Sequence, residues 1–246
     1  MSKIFDALRK AEKDTGLVAL APGARLETAP SRPTRVLDSE FAYLANSIES
    51  CFPNAKTGRV IMVVGCAAGE GCSYVAAHLS RVLARSVGMP VLYLDGNFHD
   101  PSADKLFGLR QDLGIADVYA NGKPRDLASI IQLGDTEQLY VLGTGSRRVT
   151  PAAFFSSSQF AGILSSLRRV FRFTVIDAPA LMKHPDSIHL ASRVDGVVMV
   201  VRYKHLKREV IRKGLEMLEG SGVPVLGAVL NRRKFAIPDL IYKIVS

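Results

Sequence analysis

The sequence predicts an α/β fold: a doubly wound, mostly parallel sheet with flanking helices, preceded by an N-terminal helical arm. Three observations carry this expectation. Short hydrophobic runs rich in Val, Ile and Leu recur from Arg59 onward, and they are continuous rather than alternating. Continuous runs suit strands buried on both faces, the situation in a parallel sheet covered by helices. The stretches between most of the runs are long enough for the crossover helices that parallel strands require. Finally, the chain has 246 residues, 48% of them apolar, which is enough to bury a sizeable core.

In chain order, residues 3–13 place Ile4, Phe5, Leu8 and Ala11 on one helical face, with Ser2 as N-cap. This gives an amphipathic N-terminal helix over residues 1–14. Residues 15–37 read as a flexible linker, with Gly16, Pro22, Gly23, Pro30 and Pro33 and no periodicity. The main domain spans 38–246. It opens with a helix beginning at Asp38 or Ser39 and stopping before Pro53. Strands are expected at 60–64, 91–94, 139–142, 173–176, 196–201 and 225–230. Crossover helices are expected at 74–85, 160–170 and 207–218. There is no internal repeat.

No apolar run reaches the roughly 18 residues of a membrane-spanning helix. The charged N-terminus lacks the apolar stretch of a signal peptide. Cys51, Cys66 and Cys72 form no CxxC pair and cannot make a disulfide scaffold. A cytoplasmic protein is expected. The formal net charge of +9 points to an anionic partner without choosing among nucleic acid, phospholipid, nucleotide or acidic protein.

In open parallel sheets ligands sit beyond the carboxyl ends of the strands. After the first run comes Gly65-Cys66-Ala67-Ala68-Gly69-Glu70-Gly71-Cys72-Ser73, followed by a helix. Small residues there let backbone N–H groups curl around an anion at a positive helix end. A phosphate loop closes with GK[ST]; this one closes with Gly71-Cys72-Ser73. The second run ends in Asp95 and the fourth in Asp177. A strand-end Asp alone is usually a turn former. Two of them beside a glycine-rich loop are the layout that holds Mg²⁺ with a nucleotide.

These motifs, with their surroundings, resemble the bacterial tyrosine kinase (BY-kinase) group of P-loop ATPases, the exopolysaccharide and capsule branch of the MinD/ParA-like superfamily. The likeness covers nearly the whole chain. SKIFDALRKAEKD resembles the family's N-terminal helix, and GEGCSYVAAHLS its GEGKSTxAANLA. VLYLDGNFHDPSADKLFGL resembles its DxDxRxP motif and following helix, GIADVYANG its GLSDVL-type helix, and FTVIDAPA its Walker B strand. VDGVVMVVR and VPVLGAVLNRRKF resemble the last two strands and a base-contacting Asn. The resemblance implies a P-loop NTPase fold and an ATP or ADP site with Mg²⁺. It implies nucleotide contacts from Gly69, Glu70, Gly71, Cys72, Ser73, Tyr74, Asn231 and Arg232. Ser73, Asp95 and Asp177 would serve the metal, and Asp95 and Asp177 catalysis if the protein is active.

The departures are specific. Cys72 replaces the phosphate-contacting Lys, and Ala67 the early lysine of the MinD/ParA group, so no lysine remains between Gly65 and Ser73. In the second motif Asn97 replaces the second acid and His99 the Arg. Residues 40–46 lack the arginines of the family's ExxRxxR element, which is implied to bridge subunits in a ring. The NPxELL-like segment has become Thr150-Pro151-Ala152-Ala153-Phe154-Phe155, without its acid. The last 44 residues hold two separated tyrosines, Tyr203 and Tyr242, rather than a tyrosine cluster. Removing one preorganised donor for developing charge typically costs about 10²–10³ in rate. Little or no ATP turnover is therefore expected, while the loop amides, Ser73 and Asn231 leave weak nucleotide binding open. Cys72 sits where a helix N-terminus can lower a thiol pKa; a neutral thiol is the favoured state. Lys183 and His184, just after Asp177, are candidate compensating cations.

Basic residues concentrate at Arg168, Arg169 and Arg172; at Lys204, Lys207, Arg208, Arg212 and Lys213; and at Arg232, Arg233 and Lys234. The first two groups read as solvated faces. The third precedes a short apolar segment, 237–245, suited to a membrane surface or a protein groove. The histidines are scattered, and His184 and His189 lack the i, i+4 spacing of a helical metal pair, so no metal site beyond Mg²⁺ is read. The leading expectation is a pseudokinase or very weak ATPase acting as assembly or regulatory partner of a membrane-anchored polysaccharide chain-length and export protein. That partner would be a separate polypeptide. Homo-oligomerisation and peripheral contact with the inner face of the membrane stay open, and nucleic acid is disfavoured. The alternatives are an active tyrosine autokinase and a MinD/ParA-type positioning ATPase, against which Ala67 argues.

Overall fold

The computed structural model describes residues 35–53, 55–109, 112–119, 125–146 and 148–232. The expected N-terminal helix, the linker as far as residue 34, Arg233, Lys234 and the apolar segment 237–245 lie outside the described residues. The elements in chain order are α1 (Arg35–Ser50), β1 (Arg59–Gly65), α2 (Cys72–Val87), β2 (Val91–Asp95), α3 (Ala103–Phe107), β3 (Gln132–Leu133) and β4 (Leu139–Leu142), followed by α4 (Pro151–Ser156), α5 (Ser158–Val170), β5 (Phe173–Asp177), α6 (Asp186–Ala191), β6 (Gly196–Arg202), α7 (Arg208–Gly220) and β7 (Val225–Asn231).

All six expected strands form, each within one residue of its expected ends. Helix α1 starts at Arg35, three residues before Asp38, so the end of the expected linker is helical; it stops before Pro53 as expected. The seven strands make one sheet in the order β3-β4-β2-β5-β1-β6-β7. Every pair is parallel except β3 with β4. That antiparallel edge strand, two residues long, carries no periodic signal. The short helices α3, α4 and α6 likewise lack the length for one.

The continuous hydrophobic runs reflect burial on both faces. Val60, Met62 and Val64 of β1 face a core shared with Phe155, Phe160, Ile163 and Leu167 of α4 and α5. Ile61 and Val63 face the opposite core, with Phe41 and Ile48 of α1 and Leu79 and Leu83 of α2. Alternate side chains thus point to opposite layers and neither layer is wet. Helix α2 ends at Gly88, whose φ of +58° is the left-handed cap that glycine adopts without Cβ strain. At one end of the sheet Asp195 accepts from the Val60 N–H at 2.7 Å and pairs with Arg168 at 2.9 Å and Arg59 at 3.5 Å. Arg168 is therefore committed within the protein and is not part of a free basic face. No described helix is long and apolar enough to cross a membrane.

Candidate functional site

Parallel pairing brings the carboxyl ends of β1, β2 and β5 together, and each exits into a loop at the same edge. Asp95 and Asp177 are register partners across β2 and β5. Both are fully buried. Asp95 is held by backbone: its Oδ2 accepts from the N–H groups of Ser102 (2.7 Å) and Ala103 (2.9 Å), and its Oδ1 from that of Asn97 (3.1 Å). Burial nevertheless pushes its pKa up to about 6, against those three donors. Asp177 is pushed up to about 8, by burial first and then by the charge of Asp95. Its Oδ2 accepts from the hydroxyls of Tyr93 (3.3 Å) and Ser102 (3.4 Å). Its Oδ1 is buried with no partner.

The glycine-rich loop turns on Gly69 and Gly71, with φ of +81° and +90°. A β-carbon at Gly71 would collide with the Asn231 side chain, so glycine is needed there for space as well as conformation. The loop folds around its own carboxylate. Glu70 is 1% exposed. Its Oε2 accepts from the Ala67 N–H at 2.9 Å and its Oε1 from the Arg202 N–H at 3.3 Å. From the other side, the Asn231 side-chain amide donates to the Glu70 carbonyl at 2.7 Å. The loop is thereby fastened to the ends of both β6 and β7.

Cys72 is the first residue of α2. Burial, Asp177 and Glu70, in that order, hold its thiol well above the usual range, so it is a neutral thiol at pH 7, as expected. The helix end does not activate it, because the thiol is buried and two acidic side chains stand nearby. A β-carbon at Gly65 would lie 2.6 Å from Glu70 Oε2 and 2.9 Å from Cys72 Sγ, so both side chains fold over the loop's first residue. Ser73 lies beside Asp177 and favours its ionised form.

Among the sequence-derived candidates, Gly69, Glu70, Gly71, Cys72, Ser73, Asp95, Asp177 and Asn231 converge. Asn231, expected to meet a base, has its amide on Glu70. Tyr74 is exposed and stacks on His78, with ring centroids 4.8 Å apart. Arg232 is exposed, with a φ of +55° and its N–H on Asn231 Oδ1 at 2.8 Å. Lys183 is exposed, and the His184 ring is stacked on His99 at 3.7 Å. Sequence reasoning missed Arg202, whose Nη1 lies 3.4 Å from the Gly69 carbonyl. Its position at the end of β6, beside the loop's strand, was the available signal.

The donors fit a magnesium ion in part. The Ser73 hydroxyl and the unpartnered buried oxygen of Asp177 are hard oxygen ligands of the kind Mg²⁺ takes, usually with several waters retained. Asp95, already accepting three N–H bonds, is better placed to orient the loop than to bind metal.

No family model matches the sequence. The tyrosine-protein kinase CpsD of Streptococcus agalactiae is 26% identical over 208 residues, which are 85% of this chain and 90% of that protein. The kinase domain of the Escherichia coli tyrosine kinase ETK superposes with a TM-score of 0.77 at 18% identity, covering 92% of this chain and 94% of that domain. The septum site-determining protein MinD of Pyrococcus horikoshii, complexed with Mg-ADP, superposes with a TM-score of 0.60 at 22% identity, covering 76% and 77%. The homologues of this chain are thus bacterial tyrosine-protein kinases, and its fold is that of the P-loop NTPases to which their kinase domains and MinD belong.

Proposed function

We propose that this chain is a cytoplasmic BY-kinase-like subunit of an exopolysaccharide biosynthesis and export system, a pseudokinase or very weak ATPase. In this reading it acts as assembly or regulatory partner of a membrane-anchored chain-length and export protein. The carrying observation is the charge inside the loop. No lysine lies between Gly65 and Ser73, Cys72 is neutral, and the buried Glu70 carboxylate takes the Ala67 N–H that an incoming anion would otherwise use. Phosphoryl transfer depends on positive charge where negative charge moves. Here the scaffold for a phosphate is kept and its cation is gone. Bound Mg²⁺ would supply charge neutralisation between phosphate oxygens. The chain's own contribution is to hold Ser73 and Asp177 at that position and keep the loop closed.

The second reading is an active tyrosine autokinase. Arg202 favours it, because its guanidinium stands at the loop's rim where it can substitute for a lysine. One experiment separates the two: titration of a fluorescent ATP analogue with Mg²⁺, and phosphotyrosine detection after incubation with Mg-ATP, on wild type, Cys72→Lys and Arg202→Ala. The first reading expects weak binding and no phosphotyrosine in wild type, and binding about tenfold tighter in Cys72→Lys, the scale of one charge-assisted hydrogen bond. Micromolar binding with phosphotyrosine in wild type, both lost in Arg202→Ala, would establish the second and overturn the first. The docking role is checked by copurification with the cytoplasmic segment of a cognate export protein.

A further inference from the structure

The loops leaving β2 and β5 meet a second time, away from the aspartate pair. His99 follows β2 by four residues. His184 and Asp186 follow β5 by seven and nine. The His99 Nε2 lies 3.1 Å from Asp186 Oδ2. The His99 and His184 rings stack face to face, centroids 3.7 Å apart and planes 16° from parallel. One ligand atom from each of the three residues falls within 4.8 Å of the other two.

The geometry points to a transition-metal site in which His99, His184 and Asp186 bind a Zn²⁺-class ion. Two imidazole nitrogens and one carboxylate oxygen are borderline donors, suited to Zn²⁺, Co²⁺ or Ni²⁺ rather than to Mg²⁺ or Ca²⁺. Three protein ligands are the number that leaves a position for water or an exogenous anion. Imidazole lone pairs lie in the ring plane, so the His184 ring turns out of the 3.7 Å stack for both rings to reach one ion, and neutral imidazole is the form that ligates. Asp186 is 8% exposed, so its carboxylate is largely withdrawn from water. Its Oδ2 stands 3.1 Å from the His99 ring nitrogen, which offers no fixed charge. A divalent cation supplies that charge. Donors around a tetrahedral Zn²⁺ lie about 3.3 Å apart for bonds of about 2.0 Å; the His99–Asp186 pair at 3.1 Å already matches this, and loading brings in the His184 nitrogen by ring rotation. The ion would pin the loop after β2 to the segment running from β5 into α6, both just downstream of Asp95 and Asp177 at the strand ends.

The test uses the full chain as Cys51→Ser, which removes the exposed thiol, stripped with EDTA and titrated with Zn²⁺ against a chromophoric chelator in excess Mg²⁺. The expected result is one Zn²⁺ per chain, with visible Co²⁺ d–d bands on Co²⁺ substitution. His99→Gln and His184→Ala should each weaken binding by at least about tenfold, the lower end of the loss when even an outer-shell partner of a metal is removed. His99 lies in an exposed loop, so His99→Gln reports binding without endangering the fold. Absence of Zn²⁺ binding in excess Mg²⁺, or equal affinity in the parent and His99→Gln, overturns the site. No nucleotide enters the assay, so its outcome is independent of the kinase-like reading.

Discussion

At Asp177 one carboxylate oxygen accepts from two hydroxyls while the other is buried without a partner. Asp95 stands across the strand pair in register. Both folded pKa values, about 6 for Asp95 and about 8 for Asp177, lie above the ordinary 3.8. The native state therefore retains protons that the unfolded chain releases, and stability falls as pH rises. The contribution is complete below about pH 4 and is lost as pH passes through the two folded values. In EDTA, Asp177→Asn should melt above wild type at pH 8, the gap closing towards pH 4. A gap that stays constant or reverses in thermal melts across pH would contradict this. These aspartates were legible in the sequence because each ends a hydrophobic run. The inward Glu70 was not, since nothing local shows that its side chain returns over Gly65. Nor was the pairing of His99 with His184 and Asp186, which follow strands brought together only by their order in the sheet.

The loop between β1 and α2 is an element whose shape depends on one glycine. Gly71 combines a φ of +90° with contact against the Asn231 amide. Gly71→Ala should cost more than the roughly 1–2 kcal/mol of placing an L-residue in left-handed backbone, because Asn231 must also move. In Gly71→Ala/Asn231→Ala the two losses should be non-additive, the double variant recovering part of the first; chemical denaturation measures it. The sequence showed the loop and placed it, because spacing of glycines is local information. It did not show that the loop is tied to Arg202 and Asn231, whose contacts with it span 132 or more residues. The edge strand β3 went unseen for another reason: two residues cannot display a period.

Two separate cores on the faces of one sheet hold the whole molecule. Phe155 lies at the centre of a cluster of rings, with centroids 5.6 Å from Phe98, 5.8 Å from Phe154 and 5.2 Å from Phe160. Phe155→Ala should lower unfolding free energy by about 3–5 kcal/mol, seen as a drop in midpoint with unchanged denaturant slope. The layered architecture was the most legible scale, because burial on both faces writes itself as unbroken Val and Ile runs. The three hydrogen bonds that hold Glu70 have a last consequence. An anion reaching this turn meets a backbone whose conformational entropy was already surrendered during folding. The receptor is preorganised, so tighter association here would come from added charge and not from added rigidity.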